Sequence, residues 1–250
     1  MTYALETRGL CKRFGAIQVT RNVDLKVEQG ARHALIGPNG AGKTTFVNLC
    51  TGMLKPSEGA ILLNGKEITG VSPQRRVGNG LVRTFQINTL FNALTVAENL
   101  AIPTAQRLGK SWLPWGKTSH SAEVVTEVAK LLDELHLLPL ADKKISDLAY
   151  GQRRLVEIAI ALALKPQVLL LDEPAAGIPN GESGMILDLL ERLPQDISIV
   201  FIEHDMNLVF RFAKKITVLV EGAVLTEGTP AEIRGDQRVR DVYLGRRHHG

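Results

Sequence analysis

The chain has 250 residues, of which 44% are hydrophobic, enough to bury the core of one large domain or of a core with a subdomain. Its 30 basic and 26 acidic residues leave a net charge of +4, too small an excess to indicate nucleic-acid binding by itself. Cys11 and Cys50 are too few for a disulfide framework, and the longest strictly apolar run, Ile158 to Leu164, falls far short of a membrane span. The first residues, Met-Thr-Tyr-Ala-Leu-Glu-Thr-Arg, hold no signal-like apolar stretch, so a soluble cytosolic chain is expected.

In chain order, the first part reads as strands and turns, with Val23 to Val27 alternating ahead of a turn at Glu28-Gln29-Gly30. Ala34-Leu35-Ile36 is a short apolar run, as a buried strand makes, and residues 45–51 read as a helix stopped by Gly52. Ala60 to Gly65 and Leu81 to Phe85 are further strand candidates. From about 94 to 165 the pattern turns helical. Ser121 can cap a helix whose Val124, Val125, Val128, Leu131, Leu132 and Leu135 share one face, and a second helix follows Gly151 and ends before Pro166. Trp112 and Trp115 sit in an irregular segment, read as a packed loop, with a docking surface as the alternative. Strands return at Val168 to Leu171 and Ile197 to Ile202, with crossover helices over 180–193 and 205–213. Ile216 to Val220 and Ala223 to Thr226 form a hairpin pattern. The last stretch carries Arg234, Arg238, Arg240, Arg246 and Arg247 against Glu232, Asp236 and Asp241 and reads as a solvated tail, with contact to an acidic membrane surface or partner as the alternative; His248 and His249 have no visible partner ligands for a metal.

Between the strand at 34–36 and the helix at 45–51 lies Gly37-Pro38-Asn39-Gly40-Ala41-Gly42-Lys43-Thr44, the spacing of a phosphate-binding P-loop. Each residue type has a physical job there. The glycines let backbone N–H groups wrap a triphosphate, Lys43 supplies a point charge for the β- and γ-phosphates, and the Thr44 hydroxyl can ligate Mg²⁺. A helix N-terminus directly after the loop favours the anion. Further on, Leu169-Leu170-Leu171-Asp172-Glu173 is an apolar strand ending in two carboxylates. Asp172 is placed to hold Mg²⁺ through water, and Glu173 to polarise the water that attacks the γ-phosphate.

Taken together, these motifs resemble the ATP-binding subunits of ABC transporters over almost the whole chain. The resemblance implies an α/β fold: a P-loop NTPase (RecA-like) core with an antiparallel β subdomain over 1–86 and 155–250, and an inserted helical subdomain over 87–154. It implies that Gln86 touches Mg²⁺, that His204 contacts the γ-phosphate, that Phe14 stacks on adenine, and that Gly37 to Thr45 bind the nucleotide. Leu148-Ala149-Tyr150-Gly151-Gln152 occupies the signature position, expected to close on the nucleotide of a second subunit. Two departures stand out. Ala149 and Tyr150 replace the serine and glycine of the usual Leu-Ser-Gly-Gly-Gln, and Ala176-Gly177-Ile178-Pro179 replaces a Ser-Ala-Leu-Asp that contacts the other protomer.

Leu-Ala-Tyr-Gly-Gln, Asp-Glu-Pro-Ala-Ala-Gly, Ile-Glu-His-Asp-Met and Arg-Thr-Phe-Gln are similar to the branched-chain amino-acid uptake subfamily, as is Val242-Tyr243-Leu244-Gly245 near the end. Within it the chain resembles the longer ATPase subunit, with 105–120 as the added length. The implied cofactors are ATP and Mg²⁺. The implied partners are integral-membrane permeases, a second ATPase subunit and, indirectly, a periplasmic or extracellular substrate-binding protein, at the cytoplasmic face of the inner membrane. The alternatives are another ABC system, such as lipopolysaccharide export or urea uptake, and a soluble ABC assembly ATPase.

Overall fold

Residues 2–84, 90–110, 121–178 and 183–244 are described by the computed structural model. They form β1 (Leu5–Phe14), β2 (Ile17–Val27), β3 (Arg32–Ile36), α1 (Lys43–Thr51), β4 (Glu58–Leu63), β5 (Lys66–Glu67), α2 (Pro73–Gly78) and β6 (Leu81–Arg83). There follow α3 (Val96–Arg107), α4 (Ala122–Glu134), short 3₁₀ turns at Leu138–Leu140 and Ile145–Asp147, α5 (Tyr150–Ala163), β7 (Val168–Asp172) and α6 (Ser183–Arg192). The chain ends through β8 (Ser198–Ile202), α7 (Met206–Phe212), β9 (Lys215–Val220), β10 (Ala223–Gly228), α8 (Pro230–Gly235) and α9 (Gln237–Leu244). Gln86, Trp112, Trp115, Pro179, Gly245, Arg246, Arg247, His248 and His249 lie outside the described residues, as does most of the 105–120 segment.

The fold is α/β, and the chain divides into two units. The first takes Met1–Arg83, Gln167–Pro174 and Pro194–Gly250. Its six-stranded sheet has the order β10-β9-β3-β8-β7-β6, parallel from β9 to β6 with β10 antiparallel at one edge. Every residue of β3, β7 and β8 is buried. That is why Ala34 to Ile36, Val168 to Leu171 and Ile199 to Ile202 read as apolar runs: parallel strands are covered on both faces. A second, antiparallel sheet has the order β2-β1-β4-β5. One apolar core joins the two sheets within this unit, drawing Leu5, Leu25 and Ile61 from the antiparallel sheet, Phe46 from α1, and Leu35, Leu170 and Val200 from the parallel one.

Strand β2 begins at Ile17, six residues before the alternation that marks it in the sequence. Register shifts in the β1–β2 pair and a left-handed Asn22 (φ 48°) flip the facing of side chains there, so the period of two is lost. The Asn22 N–H donates to the Cys11 sulfur at 3.2 Å. Both cysteines are buried and unbridged, and burial pushes the Cys50 thiol up to about 12.

Helix α1 ends at Gly52, which is left-handed, and its last carbonyls meet a buried cation. The Arg76 guanidinium donates to Leu49 O at 2.8 Å, Cys50 O at 2.6 Å, Thr69 O at 2.8 Å and Val71 O at 2.9 Å. Helix C-termini leave such carbonyls without partners, and a positive charge there also suits the helix dipole.

The C-terminal stretch is not the solvated tail that its charge suggests. Ile233 and Val239 are buried, the Arg234 guanidinium lies 4.4 Å from the Phe210 ring centre, and Arg238 pairs with Asp236 at 2.6 Å. Two apolar anchors spaced among the charges are enough to fold α8 and α9 onto the unit.

The second unit is Thr84–Pro166 with Ala175–Leu193 and is helical. It extends past the boundary at 154, because α5 is one unbroken helix from Tyr150 to Ala163 and α6 packs on it. Thr95 and Glu98 form a capping box at the start of α3. At the far end of α3, Arg107 donates to Ala163 O at 2.9 Å and pairs with Glu127 at 2.8 Å, tying α3, α4 and α5 together.

Candidate functional site

The 37–45 loop is wedged between β2 and the β9–β10 turn, and its glycines follow from that confinement. A Cβ on Gly37 (φ 155°) would stand 2.1 Å from Leu219 O, and one on Gly42 (φ 95°) 2.8 Å from Val19 O. The Gly222 N–H donates to Ala41 O at 3.0 Å and closes the wedge. Gly40 faces open space, so the loop leaves room above its own backbone. A cavity of about 380 Å³ results, lined by Val19, Asn39 to Thr45 and His204. The helix starts at Lys43, two residues earlier than its apolar pattern suggests, because Gly42 takes the left-handed capping conformation.

Lys43 is buried, and its ammonium donates to Gly37 O at 2.7 Å and Pro38 O at 3.1 Å. Burial lowers its pKa, while the carboxylates of Glu173 and Asp172 pull the other way. Asp172 ends β7, buried, with Arg83 Nη2 2.5 Å from its Oδ2. Glu173 stands in left-handed backbone (φ 47°), its N–H held by Ile202 O at 2.9 Å. Its Oε1 lies 2.7 Å from His204 Nε2. Two residues far apart in sequence therefore meet beside the loop: the carboxylate at the tip of β7 and the imidazole just past β8.

Not every expected residue joins them. Phe14 does not line the cavity; it is exposed, with Lys12 Nζ 5.0 Å from its ring centre. The signature residues lie in the helical unit at the start of α5. Leu148 is buried, the Ala149 N–H donates to Gln152 Oε1 at 3.2 Å, and Gly151 is buried. The two departures touch each other: the Tyr150 hydroxyl donates to Ala176 O at 3.1 Å, and a Cβ on Gly177 would stand 2.9 Å from that hydroxyl.

Sequence reasoning missed three residues. Val19 lines the cavity from β2, where the alternation breaks. Burial pushes the Tyr243 phenol of α9 up to about 12, with the nearby Gly37 backbone pulling the other way, so this helix lies close to the loop. Arg83 was visible in Arg-Thr-Phe-Gln, but its pairing with Asp172 was not, since 89 residues separate them.

The fit to a nucleotide is physical. The loop leaves space where phosphates can lie, with backbone N–H groups and a buried ammonium around it. Thr44 and Asp172 offer hard oxygen donors suited to Mg²⁺. Among the described residues, no cluster of three or more His, Cys, Asp or Glu could hold a metal by itself. An Mg²⁺ ion would thus take most ligands from phosphates and water.

Residues 20–176 match the family described as "ABC transporter", and residues 223–249 match "Branched-chain amino acid ATP-binding cassette transporter". The chain is 39% identical over 249 residues to the high-affinity branched-chain amino acid transport ATP-binding protein BraF of Pseudomonas aeruginosa, covering 96% of this chain and 97% of that protein. It is equally similar, 39% with the same coverage, to the corresponding protein LivG of Escherichia coli (strain K12). A crystal structure of an ATP-binding cassette of an ABC transporter, in its ADP conformation, superposes with a TM-score of 0.86 at 32% identity, covering 98% of this chain and 100% of that one. A loop shaped for phosphates, with a carboxylate and an imidazole beside it, is what such a cassette requires, and the chain belongs to the ATP-binding cassette family as the ATPase subunit of an ABC transporter.

Proposed function

We propose that this cassette hydrolyses Mg²⁺-ATP with Glu173 as general base and powers an importer for branched-chain amino acids. The observation that carries the hydrolytic part is Glu173 Oε1 at 2.7 Å from His204 Nε2, beside the cavity over the loop. His204 holds the carboxylate in place, and the carboxylate polarises a water toward the γ-phosphate. Lys43 leaves the carbonyls of Gly37 and Pro38 for the β- and γ-phosphates, which replace them as acceptors. Thr44, Asp172 and Gln86 would hold Mg²⁺, which when bound offsets the charge developing on the transferred phosphoryl group. Phe14 would stack on adenine after releasing Lys12.

A second ATPase subunit, a copy or a homologue, would present its 148–152 segment to the triphosphate through the N–H groups that open α5. Closure of the pair on ATP would be passed by the helical unit to membrane permeases, so that the subunit works at the cytoplasmic face of the membrane without crossing it. Among the described residues, no helix is long and apolar enough to cross a membrane. The cargo is supported by the likeness to BraF and LivG over nearly the whole length.

The test is Mg²⁺-dependent ATPase activity of the purified chain with and without its permeases. Stimulation by the permeases is expected, and Glu173→Gln should lower kcat about 10²–10⁴-fold while ATP still binds. Normal turnover in that variant would sink the general-base assignment, and activity indifferent to permeases would sink the motor reading.

A further inference from the structure

Arg83 ends β6 and reaches two neighbouring elements at once. Its Nη1 donates to Asn48 Oδ1 at 2.6 Å and its Nη2 to Asp172 Oδ2 at 2.5 Å. Both side chains of the ion pair are largely buried, at 11% and 5% exposure, so solvent screens the pairing little. Asn48 lies one turn beyond Thr44 on the same face of α1. The fork of Arg83 therefore staples the helix that begins with Lys43 and Thr44 to the strand that ends in Asp172. This is a geometry that a planar guanidinium provides and a point charge does not.

The charges around Asp172 explain what the staple does. Two cations, Lys43 and Arg83, stand against two carboxylates, Asp172 and Glu173. Without a nucleotide, a divalent cation approaching Asp172 meets a guanidinium already in contact with the oxygen it needs. A triphosphate brings several negative charges and tips the site toward the cation.

We propose that Arg83 is a positioning residue that occupies the Asp172 carboxylate in the nucleotide-free cassette, so that the divalent cation enters with the triphosphate and not before it. The proposal rests on the reading of Asp172 as a metal ligand.

The probe is Mn²⁺, with free and bound ion distinguished by electron paramagnetic resonance in the absence of nucleotide. The wild type should bind it weakly. Arg83→Gln should bind it about tenfold tighter, because the guanidinium charge no longer stands at Asp172 Oδ2, and the double variant Arg83→Gln with Asp172→Asn should return to the wild-type value. A folded Arg83→Gln variant with wild-type Mn²⁺ affinity overturns the proposal, as does a gain that persists without the Asp172 carboxylate. If the glutamine variant fails to fold, Arg83→Lys decides instead. Lysine keeps the charge but cannot bridge Asn48 and Asp172, and a gain of about threefold is expected, with no gain overturning the proposal. Mn²⁺ binding with ATP present tests the underlying reading separately: Asp172→Asn should weaken it, and an unchanged affinity would remove Asp172 from the metal site whatever Arg83 does.

Discussion

His33 shows how a single side chain can set the acid limit of this fold. It is fully buried in β3, with Nε2 2.7 Å from the Thr217 hydroxyl, which in turn donates to Glu227 at 2.7 Å. Its Nδ1 has no hydrogen-bond partner among the described residues. Burial drives its pKa from 6.5 down to about 4, against the attraction of Glu227. Between those values the unfolded chain takes up a proton that the folded chain refuses, so stability falls as pH falls. A loss of about 2 kcal/mol between pH 8 and pH 5 is expected. Urea midpoints at the two pH values measure it, and His33→Gln should flatten the dependence. Nothing in the sequence singles this histidine out, because Thr217 lies 184 residues away. The glycines of the P-loop, by contrast, were legible: Gly37 and Gly42 each sit against a backbone carbonyl that a Cβ would meet, while Gly40 faces open space in the left-handed region.

At the scale of elements, α1 depends on a partner that its own sequence does not contain. Four backbone carbonyls, two of them at the end of α1, converge on Arg76, a residue of α2. Arg76→Met should leave these acceptors unpaired and cost about 3 kcal/mol, read as a lower urea midpoint with an unchanged slope. The helices themselves were legible from their apolar faces, α5 among them; on α4, Val124, Val128 and Leu132 are buried as expected, but Val125 is exposed. Strand β2 was half legible, since its bulged pairing with β1 erases the alternation before Val23. The link between the two unusual stretches was not legible at all. In the sequence, Tyr150 and Ala176-Gly177 are separate departures, whereas in the fold the tyrosine hydroxyl rests on the glycine turn, so each explains the other.

At the scale of the molecule, the phosphate loop is built by the N-terminal half and braced by the C-terminal one. Leu219 O packs on Gly37, Gly222 bonds Ala41, and Tyr243 of α9 meets the Gly37 backbone. Removing α9 by truncation before Gln237 takes away Tyr243 beside Gly37 and should raise the KM for ATP about fivefold, or about 1 kcal/mol, with kcat changed less than about twofold. Tyr243→Phe should reproduce most of that rise, and steady-state kinetics at fixed Mg²⁺ would show it. Composition pointed the other way, since the arginines of this stretch drew attention to its charge and hid the two apolar residues that seat it.

The left-handed backbone at Glu173 sets evolution and engineering at odds. A residue with a side chain enters that region at about 1 kcal/mol, and glycine or asparagine sits there more easily. Selection of a random library purely for survival of heating should therefore enrich Glu173→Gly and Glu173→Asn, which hold the turn more comfortably and, with Glu173 the proposed general base, should lose turnover. Melting temperature and turnover, measured on the same clones, would separate the two pressures. Any thermostable variant of this protein worth keeping must be screened for both.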